Sequence, residues 1–206
     1  RDLTFIALLL LALLAIVAHG KQLCVRNTEC PPLLQFSTIQ SAVDASADGD
    51  SILVAPGVYI ESVTLPFGAL IIESQRFANE TTLRSLANQP VFAVPLFGSG
   101  ACGLRLRGFS FVDSYVPGGG MGAAIDLRRC TTANVSLTDV IIGGCRGRSA
   151  NVTTACIRVE SSGRSEIALS SLRLRNSRAI IGLLALAPAD SQSAVVARDV
   201  DVHNCS

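Results

Sequence analysis

The chain has 206 residues, long enough to bury a sizeable core. Its formal net charge is +1 and 16% of residues are charged, which excludes the broad basic face that nucleic-acid binding needs. Aromatic residues are 5% and Trp is absent, so no platform of indoles is at hand for stacking sugars.

Arg1 precedes an apolar run over residues 5–18, which closes on Ala18-His19-Gly20 before polar Lys21. The run is short for a bilayer span and ends in small residues. It predicts a signal peptide over residues 1–20, with an N-terminal membrane anchor as the alternative. Residues 21–35 form a Cys-containing N-terminal segment in which Cys24 and Cys30 flank a short polar loop and can close on each other. Seven cysteines in a chain read as secreted argue for disulfides with one thiol left over, burial of several as free thiols being the other reading.

Residues 36–46 carry a helix start, with Ser37 as N-cap and Gln40 completing a capping box. Phe36, Ile39, Ala42 and Val43 then share a face. The helix should end in the turn cluster Ala47-Asp48-Gly49-Asp50. Strands are expected over residues 51–55, 58–65 and 69–73, with Pro56-Gly57 as a turn between the first two.

Residues 37–45 (Ser-Thr-Ile-Gln-Ser-Ala-Val-Asp-Ala) and 49–65 (Gly-Asp-Ser-Ile-Leu-Val-Ala-Pro-Gly-Val-Tyr-Ile-Glu-Ser-Val-Thr-Leu) resemble the helix cap and first coil of the pectin-lyase-like superfamily. Later units, such as residues 122–127 with 135–142, are similar to coils of polymorphic-membrane-protein-type and algal β-helix proteins. The resemblance implies an all-β fold over residues 36–206: a right-handed parallel β-helix with a short N-terminal capping helix, its coils continuing past Ser206.

The repeat stands on its own residues. Segments 104–114, 135–145, 167–177 and 195–205 superpose, giving the columns Leu104/Val135/Ile167/Val195 and Leu106/Leu137/Leu169/Ala197. A bend column Gly108/Asp139/Ser171/Asp199 follows, then Phe109/Val140/Leu172/Val200 and Phe111/Ile142/Leu174/Val202. A period of about 30 residues with alternation inside each unit predicts a β-solenoid. Residues 124–128 and 156–160 supply the remaining strand of their coils, with a looser version in 179–187. Loops 115–122 and 146–155 project at one corner. Asp113, Gly144, Asn176 and Asn204 form a turn ladder. Cys102 and Cys130 lie near equivalent corners of successive units, about 4.8 Å apart in rise, and are bridgeable. Cys145 and Cys156 bracket a polar loop. Cys145 and Cys205 are two units apart, so Cys205 is the orphan, with a partner expected past Ser206.

For the superfamily's enzymes, the resemblance implies a site on the outer face of the first strand of each coil. Lyases gather carboxylates around Ca²⁺ there, with a basic residue as proton acceptor, and hydrolases use carboxylate pairs. The outward residues here are Asp126 and Arg128, then Arg158 and Glu160. In register, Asp126 faces Arg158, Arg128 faces Glu160, and Arg173 faces Asp201, which is a charge ladder on a sheet surface more than a metal site. His203 lies beside Arg175, and neither shows an acid partner in register. Arg105 and Arg107 share an outward face that the next coils continue with Ser136, Thr138, Ala168 and Ser170, so no basic stripe forms. Gly118-Gly119-Gly120-Met121-Gly122 lacks phosphate-binding spacing and reads as a flexible corner loop. The catalytic motifs of polygalacturonases, lyases and pectin methylesterases are not found in these residues. Sequons at Asn79, Asn134, Asn151 and Asn204 are glycosylation candidates.

The expectation is a secreted, non-catalytic module that is structural or contacts an extracellular polysaccharide or cell-wall component. It would have no cofactor, no nucleic-acid partner and no membrane contact once the signal is cleaved. The alternative is the N-terminal part of a polysaccharide-active enzyme, pectate-lyase-like and Ca²⁺-dependent, or pectin-esterase-like. An outward set of converging carboxylates discriminates the two.

Overall fold

Alternating apolar positions that recur once per coil can all be buried at once only if the coils stack in register. The computed structural model has this arrangement: a parallel β-solenoid of about five turns with almost no helix. It describes residues 20–86, 89–95, 97–112, 115–116, 122–144, 146–147, 155–175, 183–186 and 193–203. The predicted signal peptide, except Gly20, lies outside these residues. Among them, no helix is long and apolar enough to cross a membrane.

The chain enters through β1 (Gln22–Val25) and β2 (Gln35–Phe36), then a short helix α1 (Ile39–Asp44). Ile39, Ala42 and Val43 are the buried face of α1, as the spacing predicts. Its cap is one residue later than expected. Thr38, not Ser37, is the extended N-cap: its hydroxyl accepts from Ser41 N–H at 3.1 Å, and the Ser41 hydroxyl accepts from Thr38 N–H at 3.4 Å. The box closes on Ser41 because Gln40 is committed elsewhere. Its amide donates to Asp44 at 2.7 Å and accepts from Thr64 N–H at 2.7 Å. The turn after α1 is tied by buried Asp50, which accepts from Lys21 N–H and Ala47 N–H at 2.7 and 2.8 Å.

Three stacks of strands follow. One contains β3 (Ser51–Val54), β6 (Gly68–Ser74), the first part of β9 (Gly100–Val112), the middle of β11 (Gly122–Gly143), the first part of β14 (Ser165–Arg175) and β16 (Ala194–His203). The second runs from β4 (Gly57–Ile60) through β7 (Thr81–Arg84) to the ends of β9, β11, β14 and β16. The third joins β5 (Val63–Thr64), β8 (Phe92–Ala93), the start of β11, β13 (Ala155–Ser161) and β15 (Leu183–Leu186). At one corner β10 (Tyr115–Val116) pairs with β12 (Arg146–Gly147), while the remainder of the two predicted corner loops, residues 117–121 and 148–154, lies outside the described residues.

The predicted columns are the observed registers. Val135 lies between Leu104 and Ile167, and Leu137 between Leu106 and Leu169, with Val195 and Ala197 next in line. Every member of the bend column takes a left-handed backbone: Gly108 φ 78°, Asp139 50°, Ser171 52° and Asp199 52°. A single left-handed residue turns the chain with no insertion, and Gly, Asp and Ser tolerate it better than branched residues do. The inward side chains form one core, where the Phe92 and Phe111 rings meet edge-on at 5.9 Å.

The expected strand over residues 58–65 is divided between two stacks. Glu61 is the reason: its carboxylate accepts from Ile39 N–H at 3.1 Å and Gln40 N–H at 3.0 Å, capping α1 and turning the chain at a corner. The first full coil also bends more widely than later ones, using residues 75–80 where those use one residue. Ala78 N–H in that bend donates to Asp139 at 3.1 Å, fastening it to the bend column.

Candidate functional site

The third stack is the face on which the sequence placed Asp126, Arg128, Arg158 and Glu160. Its inward column runs Val63, Phe92, Ile125, Ile157, and its outward column Thr64, Ala93, Asp126, Arg158. Phe92 and Ile125 are fully buried beneath it. Ala93 breaks the outward column with a single methyl, and that gap opens a groove of about 330 Å³ between two coils. Ser62, Thr64 and Gln89 line it on one side, and Asp126 and Arg128 on the other.

Asp126 stands opposite Arg158 in register, as expected, but the ion pairs close along the strands. Arg128 lies 2.9 Å from Asp126, and Arg158 pairs with Glu160. The expected Arg128–Glu160 pairing across coils is therefore corrected. Residues i and i+2 share one strand face within reach of an arginine, and the register is irregular between Leu127 and Cys130. Asp126 is 1% exposed and Arg128 28%, so the carboxylate lies beneath the groove's end and the guanidinium forms its lip.

The same habit recurs on the β6–β9–β11–β14–β16 face. Arg164 pairs with Glu166 along β14. On the second stack Arg173 and Asp201 are register neighbours as read, and His203, which faces Arg175 in register, pairs along its own strand, its Nε2 2.9 Å from Asp201 Oδ2. That pair is well exposed. Arg105 and Arg107 are followed in register by Ser136 and Thr138, so the basic stripe does stop after one coil. A second groove, about 440 Å³, runs across this face over Ala69, Gly103 and Asn134. Here β6 and β9 approach closely, and a Cβ on Gly103 would meet Ala69 Cα at 2.9 Å.

Two of the three expected disulfides are present, Cys24–Cys30 with Cα atoms 6.3 Å apart and Cys102–Cys130 at 5.5 Å. Cys156 is buried, while Cys145 and Cys205 lie outside the described residues. Disulfides fit an oxidising compartment. Of the sequons, Asn79 in the 78–80 turn and Asn134 on β11 are exposed, and Asn151 and Asn204 lie outside the described residues. The described residues hold no group of three or more His, Cys, Asp and Glu side chains placed to bind a metal ion.

Ser62, Thr64, Gln89 and Ala93 escaped the sequence reading. The signal was faint but present: Val63-Thr64 and Phe92-Ala93 repeat the apolar-then-outward pattern of Ile125-Asp126 and Ile157-Arg158 over two residues each. Comparison of the chain with protein-family models, with curated proteins and with solved structures gave no match.

Proposed function

We propose that this chain is a secreted, non-catalytic β-helix module of the pectin-lyase-like kind that contacts extracellular carbohydrate through the groove between Thr64 and Asp126. The observation that carries the reading is the composition of that groove. Hydroxyl, amide and guanidinium groups converge on it, a mixture suited to polyhydroxylated ligands, whose own hydroxyls both donate and accept. The charged groups on this face are engaged along their strands, which favours a binding surface over an acid–base pair acting across a bond. Export through the secretory route and glycans on Asn79 and Asn134 belong to the same reading, supported by two disulfides and by the exposure of both asparagines.

The test is retention of the chain on immobilised polysaccharides, with absorbance of unsaturated products followed in parallel, with and without Ca²⁺. Retention without product release is expected. Ca²⁺-dependent release would replace the proposal with a polysaccharide lyase. Retention on no polymer would remove the carbohydrate role altogether.

A further inference from the structure

We infer that the groove selects neutral sugar units over uronates, with the buried Asp126 charge repelling an incoming carboxylate and Arg128 donating at the lip. This rests on the carbohydrate reading above and deepens it. Among the described residues, the charged groups lining the groove are Asp126 and Arg128, which lie 2.9 Å apart. On the next coil Arg158 is engaged by Glu160. A uronate needs either an uncommitted cation or a bridging Ca²⁺ held by converging carboxylates. An incoming carboxylate would approach Asp126 and compete with it for Arg128. Drawing Arg128 away would weaken the charge compensation of Asp126, 1% exposed, in a region of low dielectric.

A neutral sugar meets no such conflict. A hydroxyl can accept from Arg128 at the lip while the ion pair with Asp126 stays together. Ser62 and Thr64 hydroxyls and the Gln89 amide offer donors and acceptors on the opposite wall. Pro90 and Pro95 add apolar surface against which the C–H face of a ring can lie. The volume, about 330 Å³, is at the small end of ligand sites, matching a short stretch of chain over the Ala93 gap.

The experiment uses the full chain with its disulfides intact. Binding to immobilised neutral galactan, mannan and β-glucan is compared with binding to polygalacturonate, in EDTA and in Ca²⁺. At least one neutral polymer should be retained, with polygalacturonate at least tenfold weaker in either condition. Ala93→Gln, a half-exposed position whose longer side chain fills the gap, should lower neutral binding at least tenfold with an unchanged circular dichroism spectrum. Asp126→Asn should gain polygalacturonate binding, since it leaves the Arg128 charge uncompensated. If burial of position 126 makes that variant misfold, Ala93→Gln still decides. Polygalacturonate binding as tight as the best neutral polymer would overturn the selectivity and leave the carbohydrate role standing. Neutral binding untouched by Ala93→Gln would place the ligand elsewhere on the solenoid. Retention on no polymer, neutral or acidic, would overturn the carbohydrate role itself.

Discussion

Tyr59 shows how much single side chains do at the entry end of the solenoid. It is fully buried, its hydroxyl donates to Ala55 O at 2.7 Å, and the Arg26 guanidinium lies 4.5 Å from its ring centroid. Arg26 is itself a left-handed bend residue, φ 53°, whose side chain donates to Ser37 O and Val58 O. Burial raises the Tyr59 pKa above its usual value, with Arg26 lowering it and Glu61 raising it. The folded state therefore holds the phenolic proton more tightly than the unfolded state does. Below about pH 10 both states are protonated and the group adds no pH dependence. As pH climbs past about 10 the unfolded chain ionises first, and stability falls until the folded pKa is passed. Tyr59→Phe should be less stable at neutral pH by about 1 kcal/mol for the lost hydrogen bond, yet lose less stability on going alkaline. Urea midpoints from about pH 8 to 11 measure this, and parallel curves for the two proteins would refute it.

Among elements, the Cys102–Cys130 bridge fastens β9 to β11 at a corner where Cys130 sits 1% exposed and the strand register is irregular. It closes a sequence separation of 28 residues, for which loop entropy gives roughly 3–4 kcal/mol. Replacing both cysteines with Ala should lower urea stability by about that amount, and a loss under about 1 kcal/mol would mean the stacking alone fixes the corner. This bridge was legible in the sequence because the columns fixed which residues lie one coil apart. The inward columns and the bend at Asp139, Ser171 and Asp199 were legible for the same reason: repetition averages out local ambiguity. What was not legible is what a single coil does once. In an alternating strand over residues 58–65 Glu61 would share the face of buried Tyr59, Val63 and Leu65, and only the position of α1 makes it a cap. β5 and β8, with two residues each, are too short for any periodicity, and the groove hangs on them. The charges were placed on the right faces, but cross-coil and along-strand pairing look identical in sequence, since both join residues on one face.

For the molecule as a whole, a solenoid's stability is a sum over neighbouring coils, so each inward column wants a neighbour on both sides. Among the described residues β16 pairs with β14 alone. Its inward Val195, Val200 and Val202 follow buried Ile167, Leu172 and Leu174 in register, yet are 51%, 41% and 45% exposed. An edge strand that combines open backbone groups with a row of valines is a template for association. The 206-residue chain should therefore self-associate as its concentration rises. Val195→Lys with Val200→Lys should reduce this by placing charge on the edge. Because both sites are exposed, the double change should move stability by no more than about 1 kcal/mol, about 0.5 for each surface site. The same replacement at Leu172, 2% exposed, should unfold the coil, which separates an edge effect from a core effect. Sedimentation velocity across a concentration series reads the difference. A wild-type chain monomeric at every concentration, or a double variant that associates equally, would show that β16 is not the sticky surface.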